Sequence, residues 1–119
     1  MKIVNPTAKK GEELAVSYLR KNGYKIIERN FRKGYGEIDI VAIHENTLVF
    51  IEVKTRTSNS FGSPLESITP WKLESLIKTA EFYKMIHPQL PDSLRIDAVS
   101  VILLNGQVKN IEHIKNINL

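Results

Sequence analysis

The sequence predicts an α/β fold, a mixed β-sheet flanked by helices in the order α β β β α β β, and three observations carry that expectation. Two segments with helical spacing of apolar residues open on Asn5-Pro6 and Thr69-Pro70, each a cap followed by a first-turn proline. Apolar, β-branched runs lie between and after them. The last two runs flank Asn105-Gly106, the best short hairpin signal in the chain. All 119 residues are expected to form one domain, a length that supports a real core without a disulfide or metal staple.

Taken in order, the first helix should start near Asn5 and stop at Asn22-Gly23, a left-handed end. Tyr24 to Phe31 alternates as a strand should, and Arg32 to Gly36 (RKGYG) reads as a loop. Gly36 to Lys54, GEIDIVAIHENTLVFIEVK, reads as two strands joined by a polar turn. Thr55 to Ile68 is polar, with Gly62 and Pro64, and is expected to be a loop whose part from Ser58 to Ser63 could close over a ligand. The second helix places Leu73, Leu76, Ile77, Ala80 and Tyr83 on one face and ends before Pro88. LRIDAVSVILL and VKNIEHI then complete the sheet.

The absence of cysteine removes disulfides and thiolate metal sites and fits a reducing cytosol. There is no secretory h-region and no run near the roughly 18 apolar residues of a membrane span. A cytoplasmic protein with no membrane association is expected. Net charge is +4, but residues 1–33 hold nine of the 17 Lys and Arg against three acids. Such a field suits a polyanion, since phosphate contacts release counterions without regard to sequence. A solvated helix face explains the charge alone equally well.

The hairpin raises a sharper question, because its apolar strands carry Glu37, Asp39, Glu52 and Lys54. With a turn at His44-Glu45-Asn46-Thr47, Ile43 faces Leu48, Asp39 faces Glu52 and Glu37 faces Lys54. All four charges then share one face with Val41, Ile43, Leu48 and Phe50, while Ile38, Ile40, Ile51 and Val53 take the other. Like charges opposed across a strand pair repel, and Lys54 offsets only part of the cost. A divalent ion would offset the rest, and hard oxygen ligands in this number suit Mg²⁺. An edge hairpin with exposed salt bridges is the plainer alternative, and a one-residue slip would split the group. On the first helix Glu12 falls within the arc of Ala8, Ala15, Val16 and Leu19, whereas Glu13 faces water. Glu12 could reach the same ion, curl out to solvent, or pair with Lys54.

Asp39 followed by Glu52-Val53-Lys54 resembles the D…ExK signature of the restriction-endonuclease-like nuclease fold, and an inward helical Glu ahead of it is typical of that fold's archaeal Holliday-junction resolvase branch. More closely, GEELAVSYLRKNGYKIIERNFR, GEIDIVA, LVFIEVKTR, FGSPLESITPWK and RIDAVSV together are similar to the YraN-like family of small bacterial proteins, from about Gly11 to Val101. The resemblance implies a three-layer core and a Mg²⁺ site held by Asp39 and Glu52, with the Val53 carbonyl a further candidate ligand. It implies that Lys54 orients the attacking water and that Glu12 binds metal or assists the water. Glu37 belongs to the family's GEID block and would support the site by pairing with Lys54 or Arg56.

Among other candidates, Arg56 would project from the same face as Lys54 and contact phosphate, or be an ordinary surface Arg. Lys72, in the first turn of the second helix, opposes the helix dipole, which makes sense if that end meets phosphate. Tyr24, Phe31 and Tyr35 interleave with Lys25, Arg29, Arg32 and Lys33 as stacked bases would require, although two of the three aromatics suit a core. Arg95 and Asp97 read as structural, and His44, His87 and His113 have no metal-ligand spacing. The expected function is Mg²⁺-dependent hydrolysis of DNA phosphodiesters, with Mn²⁺ as a substitute ion and branched or single-stranded DNA among the expected substrates. Homodimers and recombination or repair proteins are candidate partners. A catalytically silent DNA-binding or partner-binding module is the alternative.

Overall fold

Asn5 starts the first helix, α1 (Pro6–Lys21), by accepting the N–H groups of Thr7 and Ala8 on its side-chain oxygen. Its end is a Schellman motif: Gly23, at φ 87°, donates to the Arg20 carbonyl and Tyr24 donates to that of Leu19. Tyr24 and Leu19 then pack in one core, so the cap also aims the chain into the sheet. The structure, a computed structural model, describes residues 5–33, 35–57 and 64–117. The loop from Ser58 to Ser63 lies outside the described residues.

Five strands follow, interrupted by a 3-10 helix (Pro64–Ser67) and by α2 (Pro70–Ile86): β1 (Lys25–Lys33), β2 (Gly36–His44), β3 (Thr47–Arg56), β4 (Ser93–Leu104) and β5 (Gln107–Ile114). They form one sheet in the order β1-β2-β3-β4-β5. Only β3 and β4 run parallel, which requires the long crossover that contains α2. The element order is the expected one. Strands β1 and β3 extend past the expected limits, because Arg32 and Lys33 pair with Glu37 and Gly36, and Arg56 pairs with Ile102. No helix among the described residues is long and apolar enough to cross a membrane.

The helices cover opposite faces and make three layers. Under α1 the core is built from Leu19, Ile40, Ala42, Val49, Ile51 and Val99; under α2 it is built from Ile38, Val41, Leu48, Phe50, Leu76 and Tyr83. Contact between α1 and β3 is so close that a Cβ on Gly11 would lie 1.8 Å from Thr55 Oγ1 and 2.7 Å from its Cβ. Glycine is therefore the residue that lets α1 lie on β3 one position before Glu12.

Beneath the C-terminal half of α1 sits a buried ionic cluster. The Asp97 carboxylate, fully buried, accepts from Arg95 Nε at 2.9 Å, His113 Nε2 at 2.8 Å, the Asn116 N–H at 3.0 Å and Tyr24 Oη at 3.4 Å. Since the carboxylate only accepts, His113 presents an Nε2–H to it, and the other ring nitrogen, Nδ1, is hydrogen-bonded with Tyr18 Oη at 3.2 Å. Burial pushes the Asp97 carboxyl up, but His113, Arg95 and Asn116 together outweigh it and hold the group below the usual carboxylate range. Arg95 and Asp97 are structural, as expected; His113, to which the sequence assigned nothing, is their partner.

Two outcomes follow from this packing. Gly11→Ala should destabilise the protein by about 1–3 kcal/mol, the usual cost of overpacking, as read from urea unfolding. Asp97→Ala, which strands Arg95 and His113 in the interior, should cost about 3–5 kcal/mol in the same measurement.

Candidate functional site

The expected hairpin register holds from His44↔Thr47 to Ile40↔Ile51, closed by Glu45 and Asn46 at φ 48° and 60°. Beyond Ile40 the β2–β3 ladder ends, while β2 stays paired to β1 as far as Gly36. There the Asp39 carboxylate takes the Val53 N–H at 2.7 Å, in place of a strand partner. Asp39 and Glu52 are therefore neighbours in a gap between diverging strands, not a cross-strand pair.

The divergence also changes which side the residues face. Asn30, opposite Asp39, adopts φ 55°, a left-handed conformation that Asn tolerates better than most residues. Arg29 and Asn30 both reach Glu12 on α1, so the alternation of β1 is broken. Ile38 consequently joins the α2-side core with Phe31, while Ile40 stays in the α1-side core. The expectation that Ile38 shares a face with Ile40, and that all four charges share the opposite one, is corrected accordingly. Asp39 and Glu37 line a cleft against α1, whereas Glu52 is held from α2.

Glu52 is only 5 % exposed. Its carboxylate lies 3.5 Å from Lys72 Nζ and 3.8 Å from Lys54 Nζ, ion pairs longer than good hydrogen bonds. Burial pushes the Asp39 carboxyl up to about 7, reinforced by the charge of Glu52 and a hydrogen bond to it and opposed by the Val53 N–H. Two acids thus share a site that favours a single negative charge. Among the described residues no three His or acidic side chains converge as a metal-ligand group, so the carboxylate centre is a pair.

Glu12 faces inward, as expected, its side chain 16 % exposed. It pairs with Arg29 at 3.1 Å and accepts from Asn30 Nδ2 at 3.1 Å, so Arg29, and not Lys54, is its partner. It lines, with Asp39, Lys54 and the start of α1, a cavity of about 190 Å³. That cavity opens at the N-terminus of α1, and Lys72 brings the N-terminus of α2 to Glu52. Neither helix has an acid in its first turn, so both positive dipole ends are available to an anion.

The supporting candidates divide. Glu37 pairs with Arg32 across the strands at 2.9 Å, not with Lys54 or Arg56, because it faces the α1-side cleft. Lys72 points into the site. Arg56 is half-buried, two residues beyond Lys54, and Lys33 is exposed at the end of β1. Arg29 and Asn30 are the residues the sequence did not single out individually. The only signal for them was the basic run in which Arg29 stands.

Because the folded-state pKa of Asp39, about 7, lies above its ordinary 3.8, the stability gained from its protonation is present in full below the lower value and is lost as pH rises through the higher. Between about pH 5 and pH 8, thermal melts of the metal-free wild type should fall relative to Asp39→Asn, whose amide does not titrate. Parallel melting curves would contradict the raised pKa.

Residues 11–101 match the family described as "Uncharacterised protein family UPF0102". A UPF0102 protein of Syntrophomonas wolfei is 49% identical over 106 residues, covering 89% of this chain and 91% of its own length. One from Persephonella marina is 44% identical, covering 91% and 89%, and one from Geobacter metallireducens is 49% identical, covering 90% and 87%. A structure titled "Structure of EndoMS-dsDNA2 complex" aligns with a TM-score of 0.45 at 13% identity, over 90% of this chain and 41% of that one. With its matched residues and its relatives in agreement, the chain belongs to the uncharacterised protein family UPF0102.

Proposed function

We propose that this protein is a divalent-metal-dependent endonuclease that hydrolyses DNA phosphodiesters at a centre made of Asp39, Glu52 and Lys54. The observation that carries the reading is the pair of adjacent carboxylates where β2 and β3 part. One is fixed by a backbone N–H, and the ammonium groups of Lys54 and Lys72 stand beside the other.

The donor set fits Mg²⁺, with Mn²⁺ as substitute: hard carboxylate oxygens, Asp39 half-buried on the wall of the α1-side cavity and Glu52 buried beside it. Asp39 and Glu52 would hold the ion; burial first, and the charge of Glu52 second, raise the proton affinity of Asp39, and a dication would offset both. When bound, such an ion lowers the pKa of its water and polarises a non-bridging phosphate oxygen. Val53 N–H fixes one Asp39 oxygen, and Asp39 itself lines the cavity. Lys54, half-buried beside Glu52, holds a positive charge where the pentavalent phosphate becomes more negative. Lys72 and the two helix N-termini position the flanking backbone. Glu12, held by Arg29 and Asn30, faces the same cavity and is placed to steady a water there.

One observation favours a second reading. Lys54 and Lys72 already compensate Glu52 without an ion, as suits a binding module that keeps the frame and has no turnover. Labelled single-stranded, duplex, flap and four-way-junction DNA, incubated with Mg²⁺, Mn²⁺ or EDTA, separates the two. Metal-dependent cutting should fall at least about 10²-fold in both Asp39→Ala and Lys54→Ala. Mg²⁺ should also raise the melting temperature of wild type but not of Asp39→Ala. DNA binding without cutting, equal in wild type and both variants, would establish the binding module instead.

A further inference from the structure

Two large aromatic side chains stand in solvent along α2, the helix that sends Lys72 to the carboxylate centre. Trp71 is 74 % exposed and Tyr35 63 % exposed, whereas Tyr24 and Phe31 of the same basic and aromatic stretch are core residues. Large aromatics ordinarily bury most of their area, so an exposed pair on rigid structure calls for a ligand. Both are firmly placed. Trp71 lies in the first turn of α2, next to the lysine whose ammonium reaches Glu52, and the carbonyl of Tyr35 accepts Ser75 Oγ–H at 2.7 Å on the same helix.

Residues 71, 75 and 78 follow one another along one stripe of α2. Trp71, the anchor of Tyr35 and Lys78 therefore form a line leading away from Glu52. Lys78 Nζ stands 5.8 Å from the centroid of the Tyr35 ring and pairs with Glu74 at 3.0 Å, while Lys72, next to Trp71, turns to Glu52. Beside Tyr35 opens a shallow cavity of about 320 Å³, with Phe82 and Met85 as its apolar wall and Lys78 and Glu81 at its polar edge. An apolar face with one donor and one acceptor at its edge is the chemistry of a nucleobase site.

We propose that Trp71 and Tyr35 form a stacking track for unpaired nucleobases that leads from the carboxylate centre along α2. The substrate is then DNA with a single-stranded segment beside the reacting phosphate. The inference rests on the nuclease reading above and names its substrate class. Bases in a duplex already stack on one another and offer no free face to Trp71; unpaired bases do. Lys78 is the cation beside the Tyr35 ring, and a strand phosphate there would exchange with Glu74, its present exposed partner. Flat rings free in solvent on the helix that carries Lys72 to the carboxylate centre match unpaired bases, whose faces can stack on them.

Trp71 is the single tryptophan of the chain, so its fluorescence reports on the track alone. The probes are an oligothymidylate of roughly 15 nucleotides, an abasic strand of the same length and a blunt duplex, with EDTA present so that nothing is cut. The oligothymidylate should quench Trp71 and bind more tightly than the abasic strand or the duplex. By anisotropy of a labelled strand, Trp71→Ala should weaken that binding roughly tenfold or more, and Trp71→Phe should keep most of it. Tyr35→Ala should act in the same direction, with melting temperatures unchanged because both rings lie outside the core. Equal affinity for base-bearing and abasic strands, with Trp71→Ala binding as wild type, would overturn the track and leave the nuclease reading standing. Failure of wild type to bind any of the three probes would remove both. A change of sedimentation in Trp71→Ala at unchanged DNA affinity would reassign the surface to self-association and overturn the track.

Discussion

The hydrogen bond from the Val53 N–H to the Asp39 carboxylate is the contact on which the site depends. A β-ladder normally satisfies that N–H with a carbonyl of the neighbouring strand. Here a side chain does so, and the two strands can separate without leaving a buried donor unpaired. Separation is what brings Asp39 beside Glu52 while turning Ile38 into the opposite core. The residue proposed to hold the metal ion thus also stabilises the break in the sheet beside it.

Two ionic clusters lie along α1 and show opposite logic. At its C-terminal half, Asp97 is surrounded by Arg95, His113, Tyr24 and the Asn116 N–H, and the accumulated donors hold its proton affinity down in spite of complete burial. At its N-terminal end, Asp39 is half-buried with one backbone donor beside a second carboxylate, and burial, reinforced by that carboxylate, raises its proton affinity. A fully satisfied buried charge contributes to a specific structure; an under-compensated one retains affinity for a proton or a cation. Both clusters are ionic and largely buried, and it is the count of donors that separates the structural cluster from the candidate catalytic one.

The approach of α1 to β3 connects these ends. Gly11 lets the helix backbone sit on Thr55, and the next residue, Glu12, is thereby delivered to Arg29, Asn30 and the cavity that Asp39 lines. Helix α2 contributes from the other face through Lys72. Three packed layers place Glu12, Asp39, Glu52, Lys54 and Lys72 around one gap, with both helix N-termini directed to the same end of the sheet. Precise placement of this kind is what electrostatic catalysis requires of a scaffold.

Local chemistry made much of this legible in the chain itself. Asn5-Pro6, Gly23, Thr69-Pro70 and Asn105-Gly106 are short-range signals, and the elements begin and end on them; the alternation of Val41, Ile43, Leu48 and Phe50 set the hairpin register correctly near its turn. The inward bias of Glu12 followed from helical periodicity alone. What the sequence could not supply was the break at Asn30 and Asp39, since a left-handed asparagine and a carboxylate that replaces a ladder bond leave no periodic trace. Nor could it supply the partners: Glu37 with Arg32, Glu12 with Arg29 and His113 with Asp97 join residues far apart or across a bend, and their pairing is set by how layers pack. The sequence by itself determined the elements, their order and the charged residues of the centre, because these depend on neighbours in the chain. Only the tertiary structure decided which charges meet, because that depends on where two strands part and how closely a helix can approach them.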